Sequence, residues 1–181
     1  MKKVYTFTPP LRITGLSNVF FRSYRHPYYF PGEFHPFWEM VYVVEGSLQA
    51  ASEERVYHLK KGEVIFHKPM EFHRLWSTEG EDGCALIIGF CAEGDCLNKL
   101  AGGAFVLTEE QKNELETVRS YLVKTFPDQN DHYLIFMLKD WQELSHRIQA
   151  FTNLLEIFLL SIAILKSPPF LCLIKIIENM L

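Results

Sequence analysis

The sequence predicts a mainly β chain with a C-terminal α part: an antiparallel barrel or jelly roll followed by two or three α-helices. Three observations carry this. From Val4 to about Ala92 the chain is cut into short segments rich in β-branched and aromatic residues, several of them alternating in polarity. After "AGGAF" the apolar residues recur every three or four positions instead of every two. The apolar content, 48% of 181 residues, is enough for one domain with a real core.

The predicted strands are "VYTFT", "NVFFRSY", "EMVYVVE", "SLQAAS", "RVYHL", "EVIFHK", "FHRLWS" and "CALIIGFCA". Pro31-Gly32, Glu45-Gly46, Lys61-Gly62 and Glu81-Asp82-Gly83 supply the residues that tight turns need. Thr108-Glu109-Glu110-Gln111 reads as a capping box, and Leu115, Val118, Leu122 and Phe126 give the helix after it an apolar stripe that ends at Pro127. A further helix follows "PDQND", with Asp131 as its cap.

In that further helical stretch Met137, Trp141, Leu144, Ile148, Phe151, Leu155, Phe158, Ile162 and Leu165 alternate in steps of four and three. The stripe can pack on the chain's own barrel or on a second copy. A helix of about 34 residues would span about 50 Å, more than a barrel of this size covers, so a homodimer through Trp141, Leu144, Ile148, Phe151, Leu155, Phe158 and Ile162 is the expectation. A break near Thr152-Asn153 is the alternative geometry. Ser167-Pro168-Pro169 then opens a linker, and "FLCLIKIIENML" reads as about three turns of a final helix. The expected division is a barrel over 1–106, a helical dimerisation region over 107–166, and a linker with a cut-off helix over 167–181.

Composition excludes several functions. A net charge of −4 with no Lys/Arg cluster offers no basic field for a nucleic-acid backbone. Cys84, Cys91, Cys96 and Cys172 form neither a CxxC pair nor a disulfide framework, and the N-terminus lacks an apolar signal segment, so a cytoplasmic setting is expected. "LLEIFLLSIAIL" is too short to cross a bilayer, which takes about 20 residues, and no membrane partner is expected. There is no G-x-S-x-G elbow and no phosphate-binding glycine loop. His26, His58 and His67 read as surface or internally satisfied imidazoles.

The chemistry concentrates in "EFHPFWEMVYVVEG". On an unbroken strand Glu33, His35, Phe37, Glu39, Val41 and Val43 share one face, and a closed barrel buries that face. Ionised groups there need partners, a ligand or a metal. The pattern resembles the first cupin motif, G-x5-H-x-H-x3,4-E-x6-G: His35, Glu39 and Gly46 match, Glu33 stands at the first histidine and Pro27 at the leading glycine. "GEVIFHKPMEFHRLWS" resembles the second motif, G-x5-P-x-G-x2-H-x3-N. Gly62 and His73 match, Pro69 falls one place late, Met70 replaces the inner glycine and Ser77 the asparagine.

Together with the helical tail, "HPFWEMVYVVEGSL" and "LKKGEVIFHKPMEFHRL" resemble the N-terminal domain of AraC-type bacterial transcription regulators over about residues 10 to 181. The resemblance implies a cupin-like sensor barrel, helices that dimerise it and a helix-turn-helix DNA-binding unit, of which "LIKIIENML" looks like the cut-off opening helix. It implies that DNA is reached only through that unit. The expected activity is small-molecule sensing, with Glu33, His35, Phe37, Glu39, Phe66, His73 and Trp76 as ligand-binding residues and Phe72 and Tyr42 as further wall candidates. A neutral polyol such as a sugar is favoured, because two carboxylates repel an anion unless Arg12, Arg22, Arg25 or Arg74 offsets them. No cofactor is expected, and a divalent metal on His35, Glu39 and His73, with Glu33 as a fourth ligand, is the alternative. In that alternative the chain is a small metal-dependent cupin enzyme, a dioxygenase or isomerase.

Overall fold

The structure, a computed structural model, describes residues 9–125 and 141–165. The predicted strand "VYTFT", Phe126, Pro127, Asp131, Met137 and everything from 166 onward lie outside the described residues. Eight strands are present among the described residues: β1 Arg12–Tyr24, β2 Tyr29–Glu33, β3 Trp38–Ser52, β4 Arg55–Lys60, β5 Glu63–His67, β6 His73–Ser77, β7 Gly83–Glu93 and β8 Ala104–Val106. Two helices follow, α1 Glu109–Thr125 and α2 Trp141–Leu165, and a short 3-10 helix, Asp95–Lys99, precedes β8. The cupin-like antiparallel barrel with C-terminal helices is therefore the fold.

All strand pairs are antiparallel, and β3 belongs to both halves of the barrel. Its first half pairs with β7 and β5, and its second half pairs with β4 and β6, with β2 beyond β6. The Glu45-Gly46 turn predicted from sequence is instead an irregularity inside this one strand, where the register against β7 shifts between Val43 and Glu45. Gly46 has φ +65, and a Cβ there would collide with the Asp82 carbonyl oxygen, so glycine lets the strand bend from one half to the other. Pro31-Gly32 likewise lies within β2 rather than breaking it.

β3, β5 and β7 are buried on both faces, which is why they read as nearly continuous apolar runs. Val41, Val43, Leu48, Ile65, Ala85 and Ile87 point into the barrel. Their alternating neighbours Trp38, Met40, Val64, Phe66, Leu86, Ile88 and Phe90 point the other way, into a second core shared with the helices.

α1 begins as its sequence predicts. The Thr108 N–H donates to Gln111 Oε1 at 3.0 Å and the Gln111 N–H donates to Thr108 Oγ1 at 3.3 Å, the reciprocal pair of a capping box. Leu115, Val118 and Leu122 enter the second core. α2 is continuous through Thr152-Asn153. Its seam does not wait for another copy: Phe151, Leu155 and Phe158 are all 0% exposed and Ile162 is 3% exposed within the single chain, packed with α1 and the outer face of the barrel. Ile148 is partly buried against the same core; the side chains of Trp141 and Leu144 lie outside the described set. The period of the stripe was right and its inferred partner was not, because a helical face and a barrel face bury the same spacing. Glu156 adds a polar tie, its Oε1 accepting the Ile13 N–H at 2.5 Å. Among the described residues no helix is long and apolar enough to cross a membrane.

Candidate functional site

Strand register builds the barrel interior in layers. Asn18 opposes Gly89, Gly89 opposes Glu39, and Glu39 opposes His67, forming a polar floor across β1, β7, β3 and β5. Two residues along, Phe20, Ile87, Val41 and Ile65 form an apolar layer. Two further, Arg22, Ala85 and Val43 form the next. A Cβ at Gly89 would meet Asn18 and the Phe37 ring, so glycine is what lets both side chains fold over the floor. The cavity enclosed has a volume of about 550 Å³, the size of a small-molecule site.

Four side chains converge at the floor. Ligand atoms of Glu33, His35, Glu39 and His73 lie within 4.8 Å of one another. Glu39 Oε2 is 3.6 Å from His35 Nε2 and Glu39 Oε1 is 3.4 Å from His73 Nε2. These three residues are buried, whereas Glu33 is exposed at the edge of the site. Each imidazole is oriented from behind, His35 Nδ1 by the Phe37 carbonyl and His73 Nδ1 by the Glu71 carbonyl, both at 3.0 Å. A carbonyl can only accept, so both Nδ1 atoms carry the proton and neutral imidazoles present bare Nε2 lone pairs to the floor. Among the described residues neither Nε2 atom has a hydrogen-bond partner.

In the ion-free chain, charge couples Glu39 to the imidazoles. Burial pushes the Glu39 carboxyl upward, but the two imidazoles and the positive charge they can carry outweigh it and bring its pKa down to about 2. His73 moves the opposite way: burial disfavours its charge, and Glu39 overcomes that to raise its pKa. Contacts of 3.4 and 3.6 Å are long for charge-assisted hydrogen bonds, which run about 2.7–2.9 Å. They suit two ligands of one ion, since atoms each about 2.1 Å from a tetrahedral centre stand about 3.4 Å apart. Two imidazole nitrogens and carboxylates form a donor set that fits a divalent transition metal.

The predicted face is right although the strand is broken. Residues 34–37 leave the ladder between β2 and β3, yet Glu33, His35, Phe37, Glu39 and Val41 all line the cavity. The Phe37 ring stacks on His35, with centroids 3.7 Å apart. Phe66 and Trp76 do not line it. Phe66 shares a face with Val64 and sits in the helix-facing core, 0% exposed. Trp76 alternates with Leu75, and Arg74 lies over the Trp76 and Phe72 rings. Phe72, Arg74 and Trp76 therefore share the face of β6 opposite His73 and Leu75, and Arg74 borders the cavity without turning its guanidinium into it. Tyr42 joins the helix-facing core.

His67 is more than a satisfied imidazole. It is 1% exposed, stacks on His73 with centroids 4.4 Å apart, and lines the cavity. Its Nδ1 is 3.0 Å from Glu71 Oε1, which also accepts the Ser52 hydroxyl at 2.5 Å. Burial raises the Glu71 carboxyl, and the hydrogen bonds from His67 and Ser52 more than reverse this, leaving its pKa lowered. The signal available in sequence was that Ile65 and His67 share a strand face. Met70 explains its own motif position: at the place of the cupin glycine it holds φ +64, while its N–H donates to the His35 carbonyl at 2.8 Å. Met70→Gly is expected to keep the fold and gain up to about 1 kcal/mol by removing left-handed strain, read from the denaturation midpoint.

Residues 18–93 match the family model of the AraC-like ligand binding domain. Among solved structures, the chain is similar to a cupin 2 conserved barrel domain protein from Rhodopseudomonas palustris, at 16% identity and TM-score 0.36, covering 57% of this chain and 65% of that one. It is similar to the DMSP lyase DddQ from Ruegeria pomeroyi DSS-3, at 20% identity and TM-score 0.36, covering 46% of this chain and 39% of the lyase. The Cnp3 cupin domain of Schizosaccharomyces pombe is similar at 12% identity and TM-score 0.39, over 54% of this chain and 74% of that one. No curated protein matches the chain.

Proposed function

We propose that the chain, whose residues 18–93 match the family model of the AraC-like ligand binding domain, is the small-molecule-sensing part of an AraC-type transcription regulator and that the barrel cavity is its effector site. Transcription control follows when the domain is joined to a DNA-binding unit: an effector that favours one arrangement of barrel against α1 and α2 shifts how that unit is presented. The observation that carries the reading is the cavity of about 550 Å³ whose floor holds polar atoms with no hydrogen-bond partner among the described residues.

The same floor favours a divalent metal as part of the effector site, held by His35, Glu39 and His73 with Glu33 as the accessible fourth ligand. The sequence ranks a metal-free pocket first; the two Nε2 atoms facing one carboxylate, without a hydrogen-bond partner among the described residues, support the metal reading. A metal there would supply polarisation of a bound oxygen. The Phe37 and Glu71 carbonyls hold the imidazoles in the ligating tautomer, and the apolar layer excludes water from one side. This donor set also suits a metal-dependent cupin enzyme, the second reading, which differs in one observable: an enzyme returns its small molecule changed, a sensor returns it intact.

The test is a chimera. Fused to the DNA-binding unit of an unrelated regulator, the chain is expected to make a reporter respond to added metabolites. Ile87→Trp, which fills the apolar layer, should abolish the response. A reporter that behaves identically with the filled cavity would sink the sensor reading.

A pH measurement probes the floor itself. His73 has a folded pKa above its unfolded 6.5, so its stabilisation is complete below pH 6.5 and is lost as pH rises through the raised value. Chelator-treated protein is expected to lose unfolding temperature over that rise. Protein saturated with Zn²⁺ or Mn²⁺ should not, because the ion takes the proton's place.

A further inference from the structure

Resting on the reading of the cavity as an effector site, the structure assigns that effector a class: we infer a small organic acid, its carboxylate bound by Arg22 and its apolar body lying between Arg22 and the His/Glu floor. The sequence left Arg12, Arg22, Arg25 and Arg74 as equal candidates to offset the two pocket acids. The structure separates them. Arg12 is spent on a surface ion pair with Glu93 at 3.0 Å, Arg25 is exposed, and Arg74 lies on the outer face of β6. Arg22 and Arg74 both border the cavity, but Arg22 alone among the four shares its strand face with the inward residues Phe20 and Tyr24, opposite Ala85.

Three features make Arg22 a carboxylate reader. Its guanidinium lies over the rings of both Tyr24 and Tyr28, 5.6 Å from each centroid, and those rings are 4.8 Å apart. Ring contacts hold the guanidinium against the tyrosines and leave its in-plane N–H groups available for the fork geometry a carboxylate matches. Among the described residues it makes neither a hydrogen bond nor an ion pair, although it is half-buried beside a cavity that also holds Glu33 and Glu39. A neutral polyol would leave that cation without a counter-charge in a partly desolvated place.

Spacing sets the shape of the acid. Arg22 stands four residues along β1 from Asn18, which is in the floor layer, so the two layers are about 13 Å apart along the strand. Between them lie Phe20, Val41 and Ile87. The inferred ligand therefore has a carboxylate at one end, an aromatic or short aliphatic body, and an oxygen function at the other end for the floor. Its charge is tolerated because Glu39 is already engaged with His35 and His73.

The experiment measures unfolding temperature with millimolar matched pairs: 4-hydroxybenzoate, 3-(4-hydroxyphenyl)propionate and 6-hydroxyhexanoate, each beside its primary amide, together with glucose, xylose and inorganic phosphate. At least one acid is expected to stabilise the protein where its amide does not. Arg22→Gln should weaken that acid at least about tenfold, and Arg22→Lys, which keeps the charge, should retain part of the affinity. Cooperative unfolding of each variant identifies one that has failed to fold, and Arg22→Lys then carries the comparison. Equal stabilisation by acid and amide, an acid effect unchanged in Arg22→Gln, or binding of only glucose, xylose or phosphate would overturn the inference while leaving the sensor reading intact. No response to any compound also overturns it, and the reporter chimera then judges the sensor reading separately.

Discussion

Phe151→Asp combined with Phe158→Asp is expected to abolish cooperative folding rather than to release a soluble monomer. Both rings are 0% exposed inside one chain, in the core shared by α1, α2 and the barrel. Removing a buried Phe costs about 3 to 5 kcal/mol, and each new carboxylate must also be buried or force the helix off the barrel. Two such changes compare with the whole stability of a domain, about 5 to 15 kcal/mol. Circular dichroism and a denaturant titration read the outcome. A folded double variant whose only change is a halved mass in light scattering would return the seam to an interface between copies.

Glu39→Ala is expected to remove divalent-metal uptake, weakening it by at least about a hundredfold in equilibrium dialysis with Mn²⁺, Ni²⁺ or Zn²⁺. Glu39 bridges the site: its two oxygens face His35 Nε2 and His73 Nε2, and with a pKa of about 2 it stays ionised across the working range. Without it, two bare imidazole nitrogens remain, a weaker chelate with no charge to balance the ion. Glu33→Ala should be milder, because Glu33 sits exposed at the edge and a water can take its place. Equal loss in both variants would mean that the edge carboxylate is as necessary as the buried one.

Much of this was legible in the residues. Most strand segments, the Thr108 capping box and the period of the α2 stripe follow from local rules, whereas "EMVYVVE" and "SLQAAS" run on as one strand and "VYTFT" lies outside the described residues. Glu33, His35, Glu39 and His73 were identifiable from motif spacing and strand parity, and they converge although residues 34–37 interrupt the strand. What parity cannot supply is which face of a doubly buried strand turns inward. That ambiguity put Phe66 in the pocket when it lies with Val64 against the helices, and left His67 out when it lies with Ile65 inside. Register was equally invisible: that Glu39 faces His67, or that Arg22 stands two layers from the floor, depends on pairing between distant strands. The α2 seam erred for a related reason, since helical spacing records that a face is buried and says nothing of what covers it.

The claim that the floor is an ion-holding site and not a self-satisfied polar cluster is tested most directly by anomalous diffraction from crystals of chelator-stripped protein soaked in Mn²⁺. The account predicts one peak among Glu33, His35, Glu39 and His73, with both imidazoles keeping their Nδ1 contacts to the Phe37 and Glu71 carbonyls. A floor without a peak at saturating Mn²⁺, Ni²⁺ and Zn²⁺, with His35 and His73 donating directly to Glu39, would contradict it.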